Sequence, residues 1–223
     1  LEEINKLNNI KSLTENEKEK VFKLASKLEK DILDGKSKYK IAYLTFDDGP
    51  SRKVTPAILD ILKEYDVKAT FFVWAENLEK TQKQRDVLVR TLKEGHAIGN
   101  HSYGHLYKYL YPKNTASLDN IMADFNKAND KLKEVLGEDF ETRVIRFPGG
   151  SMSWNGLSAV KDAFKESNIA HVDWNIDSTD AHSSLRTKEQ IISAVKEGIE
   201  YLQSANINQA TILMHDTDAK SST

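Results

Sequence analysis

An α/β fold, with helices packed around a parallel sheet or barrel, is what this sequence predicts. Three observations carry the prediction. From residue 39 onward, short β-branched and aromatic runs alternate with longer stretches of helical period. The side chains able to do chemistry fall just after those runs, and in a (β/α) barrel the C-terminal strand ends carry the site. The 223 residues contain no internal repeat, low-complexity tract or linker that would divide the main body.

Residues 1–38 are expected to form an N-terminal helical extension. Thr14-Glu15-Asn16-Glu17 reads as a capping box, and Val21, Leu24, Ala25, Leu28 and Ile32 follow at helical spacing, with Gly35 as the stop. This amphipathic helix is expected to cover part of the main domain, residues 39–223.

In that domain residues 40–44 read as a buried strand. Thr55-Pro56 opens a helix with Pro at its first position, and Ile58, Leu59, Leu62 and Tyr65 form its inner face. Residues 69–74 are a strand. A helix carrying Val87, Leu88 and Leu92 ends at Gly95, and residues 96–99 form a short strand leading into Asn100-His101-Ser102. The long stripe Leu118, Ile121, Met122, Phe125, Leu132 and Val135 predicts a helix stopped by Gly137. Residues 143–147 are a strand stopped by Pro148-Gly149-Gly150, and a helix with Leu157, Val160 and Phe164 follows. Residues 169–174 are a strand. Thr187-Lys188-Glu189-Gln190 caps a helix bearing Ile191, Ile192, Val195, Ile199 and Leu202, and residues 210–214 are the last strand.

Composition narrows the function classes. With 32 basic and 34 acidic side chains the net charge is −2, which gives no argument for nucleic acid or for an anionic membrane. No apolar run is long enough to span a bilayer. Cysteine is absent, which excludes disulfides, thiolate metal sites and cysteine nucleophiles, so a transition metal would need His and carboxylate ligands. The chain begins at Leu1 without an initiator Met or signal segment, as expected of a piece of a longer protein.

The chemistry centres on Thr45-Phe46-Asp47-Asp48-Gly49-Pro50. Two carboxylates stand where a strand ends, and Gly-Pro turns the chain away. Neighbouring side chains on extended backbone point to opposite sides. Asp47 and Asp48 are therefore expected to do different jobs, one holding a metal and one handling a proton. His101-Ser102-Tyr103-Gly104-His105 sets two imidazoles four apart. On a helical turn they would share a face about 5–6 Å apart at Cβ, close enough to bind one ion with Asp48. His96 and His171 sit in apolar strand settings and read as core histidines, and His182 as a surface loop residue.

Five segments taken in order make the pattern specific: T-F-D-D-G-P at 45–50, H-S-Y-G-H at 101–105, R-F-P-G-G at 146–150, D-S-T-D at 177–180 and L-M-H at 213–215. Together they resemble the polysaccharide deacetylase family, the carbohydrate esterases of family 4 that share the NodB homology domain. The resemblance implies a distorted (β/α) barrel and metal-dependent hydrolysis of N-acetyl groups. Residue by residue, it makes Asp48, His101 and His105 the metal ligands and Asp47 the catalytic base. It makes Arg146 the partner of that base, His215 the catalytic acid and Asp177 the carboxylate that tunes the acid. On the substrate side it implies an oxyanion donor at the Gly149 N–H and an acetyl-pocket wall at Leu213. Tyr103, Tyr107, Tyr109 and Tyr111 are candidates for stacking on sugar rings, with Tyr103 taken as the substrate-binding one.

The implied cofactor is a divalent metal, zinc first, with cobalt, manganese or nickel as alternatives. The implied partner is an acetylated glycan polymer, peptidoglycan first, and the implied location is extracellular or at the cell surface. Deacetylation of chitin oligomers or of O-acetylated xylan stays open, as does a catalytically silent glycan-binding module. The oligomeric state is undetermined. The chain departs from the family in two places. Ala181 stands where the family often has a Trp lining the acetyl pocket, for which Trp154 or Trp174 would have to compensate. The sequence also ends eight residues after His215, where the family usually continues with a further helix and strand.

Overall fold

The computed structural model describes residues 14–182 and 185–217. In chain order these form α1 (Glu15–Leu33), β1 (Ile41–Asp47), α2 (Val54–Glu64), β2 (Thr70–Val73), the short α3 (Asn77–Lys80), α4 (Gln82–Lys93), β3 (Ala97–Asn100), the short α5 (Tyr107–Leu110), α6 (Leu118–Leu136), β4 (Val144–Ile145), α7 (Ser158–Glu166), β5 (Ala170–His171), β6 (Ile176–Asp177), α8 (Lys188–Ser204) and β7 (Gln209–His215). Residues 1–13 of the expected extension and 218–223 of the main domain lie outside the described residues.

The seven strands are all parallel and lie in the order β5-β4-β3-β2-β1-β7-β6. Bent round so that its ends face, that order runs β1 to β7 consecutively about a ring, broken between β5 and β6. Only residues 172–175 join these two edge strands. At about 3.6 Å per extended residue, that link holds the edges within ~18 Å of each other. The sheet is thus curled into a barrel left open on one side. Arg146, just past β4, spans the opening: Nε donates to Val172 O at 2.9 Å and Nη2 to Asp173 O at 3.3 Å.

The barrel interior follows from register. Thr45 and Asp47 pair with Leu213 and His215 across β1 and β7, and Asp47 pairs with Phe72 across β1 and β2. Register partners in parallel strands share a face, so these five side chains line one side of the sheet. Gly99 opposes Phe72, and a Cβ there would come within 2.4 Å of the Phe72 ring, so only glycine fits. The Arg146 guanidinium lies 4.2 Å above that ring, fully buried.

Outside the sheet, the helices bury part of the stripe their spacing predicts, while Tyr65, Leu92, Leu118, Ile192 and Ile199, expected on inner faces, are exposed. α6 sets Ile121 and Phe125 against Ile145, Phe147, Val160 and Phe164, and α2 sets Leu59 and Leu62 against Phe46 and Phe71. α1 has its capping box and buries Val21 and Ile32, while Asn208 Nδ2 donates to Ile32 O at 3.3 Å.

Four expectations need correcting. The strand expected at 143–147 is only Val144–Ile145. Helix α2 starts at Val54, so Pro56 lies inside its first turn, where its missing N–H costs nothing. The strand expected at 169–174 is only two residues long, because the Val172 and Asp173 carbonyls turn to Arg146. Strand β6 was not foreseen. A tertiary clamp places it: Asn175 N–H donates to Thr211 O at 3.1 Å, and Thr211 N–H to Asn175 Oδ1 at 2.7 Å.

Candidate active site

Strand β1 ends at Asp47, and Asp48 adopts left-handed backbone with φ 72°. Asn77 Nδ2 holds the turn by donating to Asp48 O at 2.7 Å and Gly49 O at 3.2 Å. The Asp216 carboxyl packs flat on Gly49, where a Cβ would lie 2.1 Å from its Oδ2. The reversal at Asp48 defeats the alternation expected of extended backbone. Instead of diverging, both carboxylates approach His101 Nε2, Asp47 Oδ2 at 3.6 Å and Asp48 Oδ1 at 3.5 Å.

The two histidines do not sit on a helical turn. Residues 101–106 are a loop with left-handed residues at Ser102 (φ 72°) and His105 (φ 52°). Donors inside the loop find fixed acceptors. Ser102 N–H donates to Asn100 Oδ1 at 2.8 Å, and His105 N–H to Ser102 Oγ at 3.0 Å. The Asp124 carboxylate on α6 takes the N–H groups of Tyr103 at 2.6 Å and Gly104 at 3.1 Å. The imidazole centroids end 5.0 Å apart, with His105 Nε2 3.4 Å from Asp48 Oδ1.

Ligand atoms of Asp48, His101 and His105 all lie within 4.8 Å of one another. His101 Nδ1 is 2.8 Å from Arg146 O. Donating to that carbonyl leaves the Nε2 lone pair facing Asp48, the usual arrangement behind a histidine ligand. Asp48 Oδ1 is buried without a hydrogen-bond partner, which is costly unless a cation meets it. The donor set of two imidazoles and one carboxylate therefore fits a divalent metal. Burial works against ionised Asp48, but His101 and His105 overcome it and hold the carboxyl well below the usual range. Burial pushes His105 down to about 4, so it is neutral at pH 7.

Asp124 touches none of the ligand atoms but fixes the loop that carries two of them. Asp124→Ala leaves two backbone donors without their acceptor. It is expected to weaken metal affinity by about 10- to 100-fold, as loss of outer-shell support does elsewhere. A chelator-competition titration measures this.

Beside the ligands, Asp47 Oδ1 accepts from Arg146 Nη1 at 2.8 Å, and the same nitrogen reaches Thr45 Oγ1 at 2.9 Å. Thr45 in turn donates to Ile212 O at 2.6 Å. The ion pair is fully buried.

His215 closes the other side, and here the expected partner is wrong. Asp177 does not reach it. Asp177 is exposed and lies 3.5 Å from His182 Nε2. Asp180 takes both the His215 N–H and Nδ1, each at 2.7 Å. Strand β6 ends at Asp177, and left-handed Thr179 (φ 65°) turns the chain so that the next carboxylate points inward. Burial alone would lower the His215 pKa, but the Asp180 hydrogen bond and charge, with Asp47 and Asp48, push it up to about 9. A raised imidazole pKa stabilises the fold fully below the unfolded value of about 6.5. That contribution is lost as pH rises through about 9. In chelator-treated protein, Asp180→Asn should therefore narrow the stability gap between pH 6 and pH 10, as read by urea unfolding. Asp177→Asn should leave that gap as it is.

Gly149 has φ 78°, and Trp154 packs against it while donating Nε1–H to Pro148 O at 2.8 Å. Leu213 is buried on β7, two residues before His215 and on the same face. Trp174 stands over the Arg146 guanidinium at 5.5 Å. Tyr103 is turned away from expectation. Lys127 Nζ lies 3.6 Å over its ring, and its hydroxyl donates to Glu79 at 3.3 Å. Two aromatics flank the ligands, Trp74 at 5.1 Å and Tyr107 at 5.3 Å from the His105 ring. His96 is buried and accepts from Ala69 N–H at 3.2 Å, and His171 packs 5.8 Å from Phe147.

Comparison with known proteins identifies relatives of one family. The chain is 33% identical to a peptidoglycan-N-acetylglucosamine deacetylase of Bacillus cereus over 82% of its own length and 62% of the relative's. It is 34% identical to the peptidoglycan-N-acetylmuramic acid deacetylase PdaA of Bacillus subtilis over 64% of its length and 52% of that protein's. It thus spans roughly half to three fifths of these relatives. A solved family 4 carbohydrate esterase from Streptococcus mutans superposes with a TM-score of 0.75 at 34% identity, covering 85% of this chain and 79% of that one. A pseudoenzyme of the same family from Bacillus anthracis, 23% identical with a TM-score of 0.64, shares the fold. The sequence model described as polysaccharide deacetylase matches residues 34–166, and the chain belongs to the polysaccharide deacetylase family.

Proposed function

We propose that this domain hydrolyses N-acetyl groups on N-acetylglucosamine units of a polysaccharide, peptidoglycan first, with a divalent metal held by Asp48, His101 and His105. One observation carries the proposal. The three-ligand cluster adjoins a buried carboxylate–arginine pair, with Asp47 Oδ2 3.6 Å from His101 Nε2, and His215, hydrogen-bonded to Asp180, is the register neighbour of Asp47 on the next strand and feels the charges of Asp47 and Asp48. Amide hydrolysis needs that layout, with a proton acceptor on the side of the attacking water and a proton donor on the side of the leaving amine.

Zinc suits the donor set, with cobalt, manganese or nickel as alternatives. When bound, such an ion polarises a carbonyl and makes water more acidic. Asp47 takes the proton of the attacking water, held in place by Arg146 and Thr45. The Gly149 N–H donates to the oxyanion, and Leu213 bounds the acetyl methyl group. His215, protonated at neutral pH in this setting, gives its proton to the departing amine, with Asp180 orienting the ring. The relatives' names place them on peptidoglycan, which supports a cell-wall substrate and an extracellular or cell-surface location. The partner is the acetylated glycan. Among the described residues no helix is long and apolar enough to cross a membrane.

The test is acetate release from peptidoglycan, N-acetylglucosamine oligomers and acetylated xylan, with several metals and with chelator. Full release by chelator-stripped protein overturns the metal role. A preference for oligomers or xylan replaces the proposed substrate. Glycan affinity without release by metal-loaded protein would favour the silent binding module.

A further inference from the structure

We infer that Tyr107, backed by Trp154, is a shelf on which a sugar ring of the bound glycan stacks beside the metal site, an inference that rests on the deacetylase reading. Tyr107 opens α5 immediately after the ligand loop. Its ring is packed between two others, 5.3 Å from His105 and 5.2 Å from Trp154. Trp154 is fixed from behind by Tyr111, stacked at 4.1 Å and 9°, and by its own hydrogen bond to Pro148 O. Tyr107 is nonetheless 45% exposed. It is a rigid ring with an open surface at the edge of the ligand cluster.

The neighbours extend the surface. Leu106 before it and Met152, two residues from Trp154, are among the most exposed apolar side chains of the described residues, at 62% and 91%. Exposed apolar side chains this close in sequence to the ligand loop and to Trp154 are what a glycan-binding surface would use. The C–H face of a pyranose ring is apolar and flat, and it matches a tyrosine ring better than it matches solvent. A glycan that presents its acetamide to Asp48, His101 and His105 carries its sugar rings close to the ligands, and the exposed Tyr107 ring lies 5.3 Å from His105. The other candidate rings are less suited: Trp74, 5.1 Å from His105, is only partly exposed and has Lys80 Nζ 5.0 Å over its ring, Tyr103 is covered by Lys127, and Tyr109 has no ring contact to hold it among the described residues.

The experiment compares wild type with Tyr107→Ala and Tyr107→Phe, using the tetramer of N-acetylglucosamine as probe. Affinity is read from tryptophan emission in metal-stripped protein, and kcat and KM from acetate release in metal-loaded protein. Loss of one aromatic contact should raise Kd and KM about fivefold in Tyr107→Ala, while Tyr107→Phe, which keeps the face, stays within about twofold of wild type. If the alanine protein does not fold, Tyr107→Leu fills the volume without a flat ring and should show the same weakening. Equal tetramer affinity in wild type and the alanine protein overturns the shelf. So does a fall in kcat and metal affinity with KM unmoved, which would make Tyr107 a prop for His105. Tetramer binding that depends on Tyr107, without acetate release by metal-loaded wild type, supports the shelf and counts against the deacetylase reading alone.

Discussion

Asp48→Asn is expected to remove metal binding and acetate release together, with kcat/KM falling by about a thousandfold or more, the scale of losing a Lewis acid and the electrostatic stabilisation it brings. Asparagine is the informative replacement. Asp48 sits at φ 72°, which Asn tolerates and Ala does not. Alanine would therefore mix backbone strain with the loss of a ligand. Asn keeps the shape and removes the charge that faces the two imidazoles. Inductively coupled plasma mass spectrometry of purified protein, with acetate release measured in parallel, checks the result. A variant that keeps its metal and its activity would show that the ion, if any, is held elsewhere.

Arg146→Met should be the most damaging single change to the fold. It leaves the buried Asp47 carboxylate without its ion-pair partner, and removing one member of such a pair costs about 3–5 kcal/mol. It also removes the donors to Val172 O and Asp173 O across the open side of the barrel. Urea unfolding in the presence of chelator measures the loss. Part of it should return in the double variant Asp47→Asn/Arg146→Met, because the stranded charge is gone while the missing donors stay missing. A single variant within about 1 kcal/mol of wild type would mean that water replaces the guanidinium.

The sequence carries the barrel because its apolar runs and stripes are local. The α6 stripe and the two capping boxes at Thr14 and Thr187 need nothing distant to be recognised. The placement of chemistry at strand ends is legible for the same reason: Asp47 and His215 interrupt apolar runs. What could not be read depends on partners far along the chain. Spacing alone made His101 and His105 look helical, whereas Asp124, some twenty residues on, captures the backbone between them. D-S-T-D offers two carboxylates for one imidazole, and the turn at Thr179 decides for Asp180. Four tyrosines follow the first ligand histidine, and Lys127 on α6 decides that Tyr103 is not the open one.

The left-handed backbone at Asp48, Ser102 and His105 has a bearing on attempts to engineer this domain. Non-glycine backbone held there costs about 1–3 kcal/mol, and Asp48 also buries a carboxylate oxygen without a hydrogen-bond partner, so the apoprotein would gain thermal tolerance from glycine at Asp48. A screen that selects survivors of heating would be drawn to that ion-gripping position and would return sturdier, inert proteins. Selection for robustness in this scaffold needs a turnover assay alongside it from the first round.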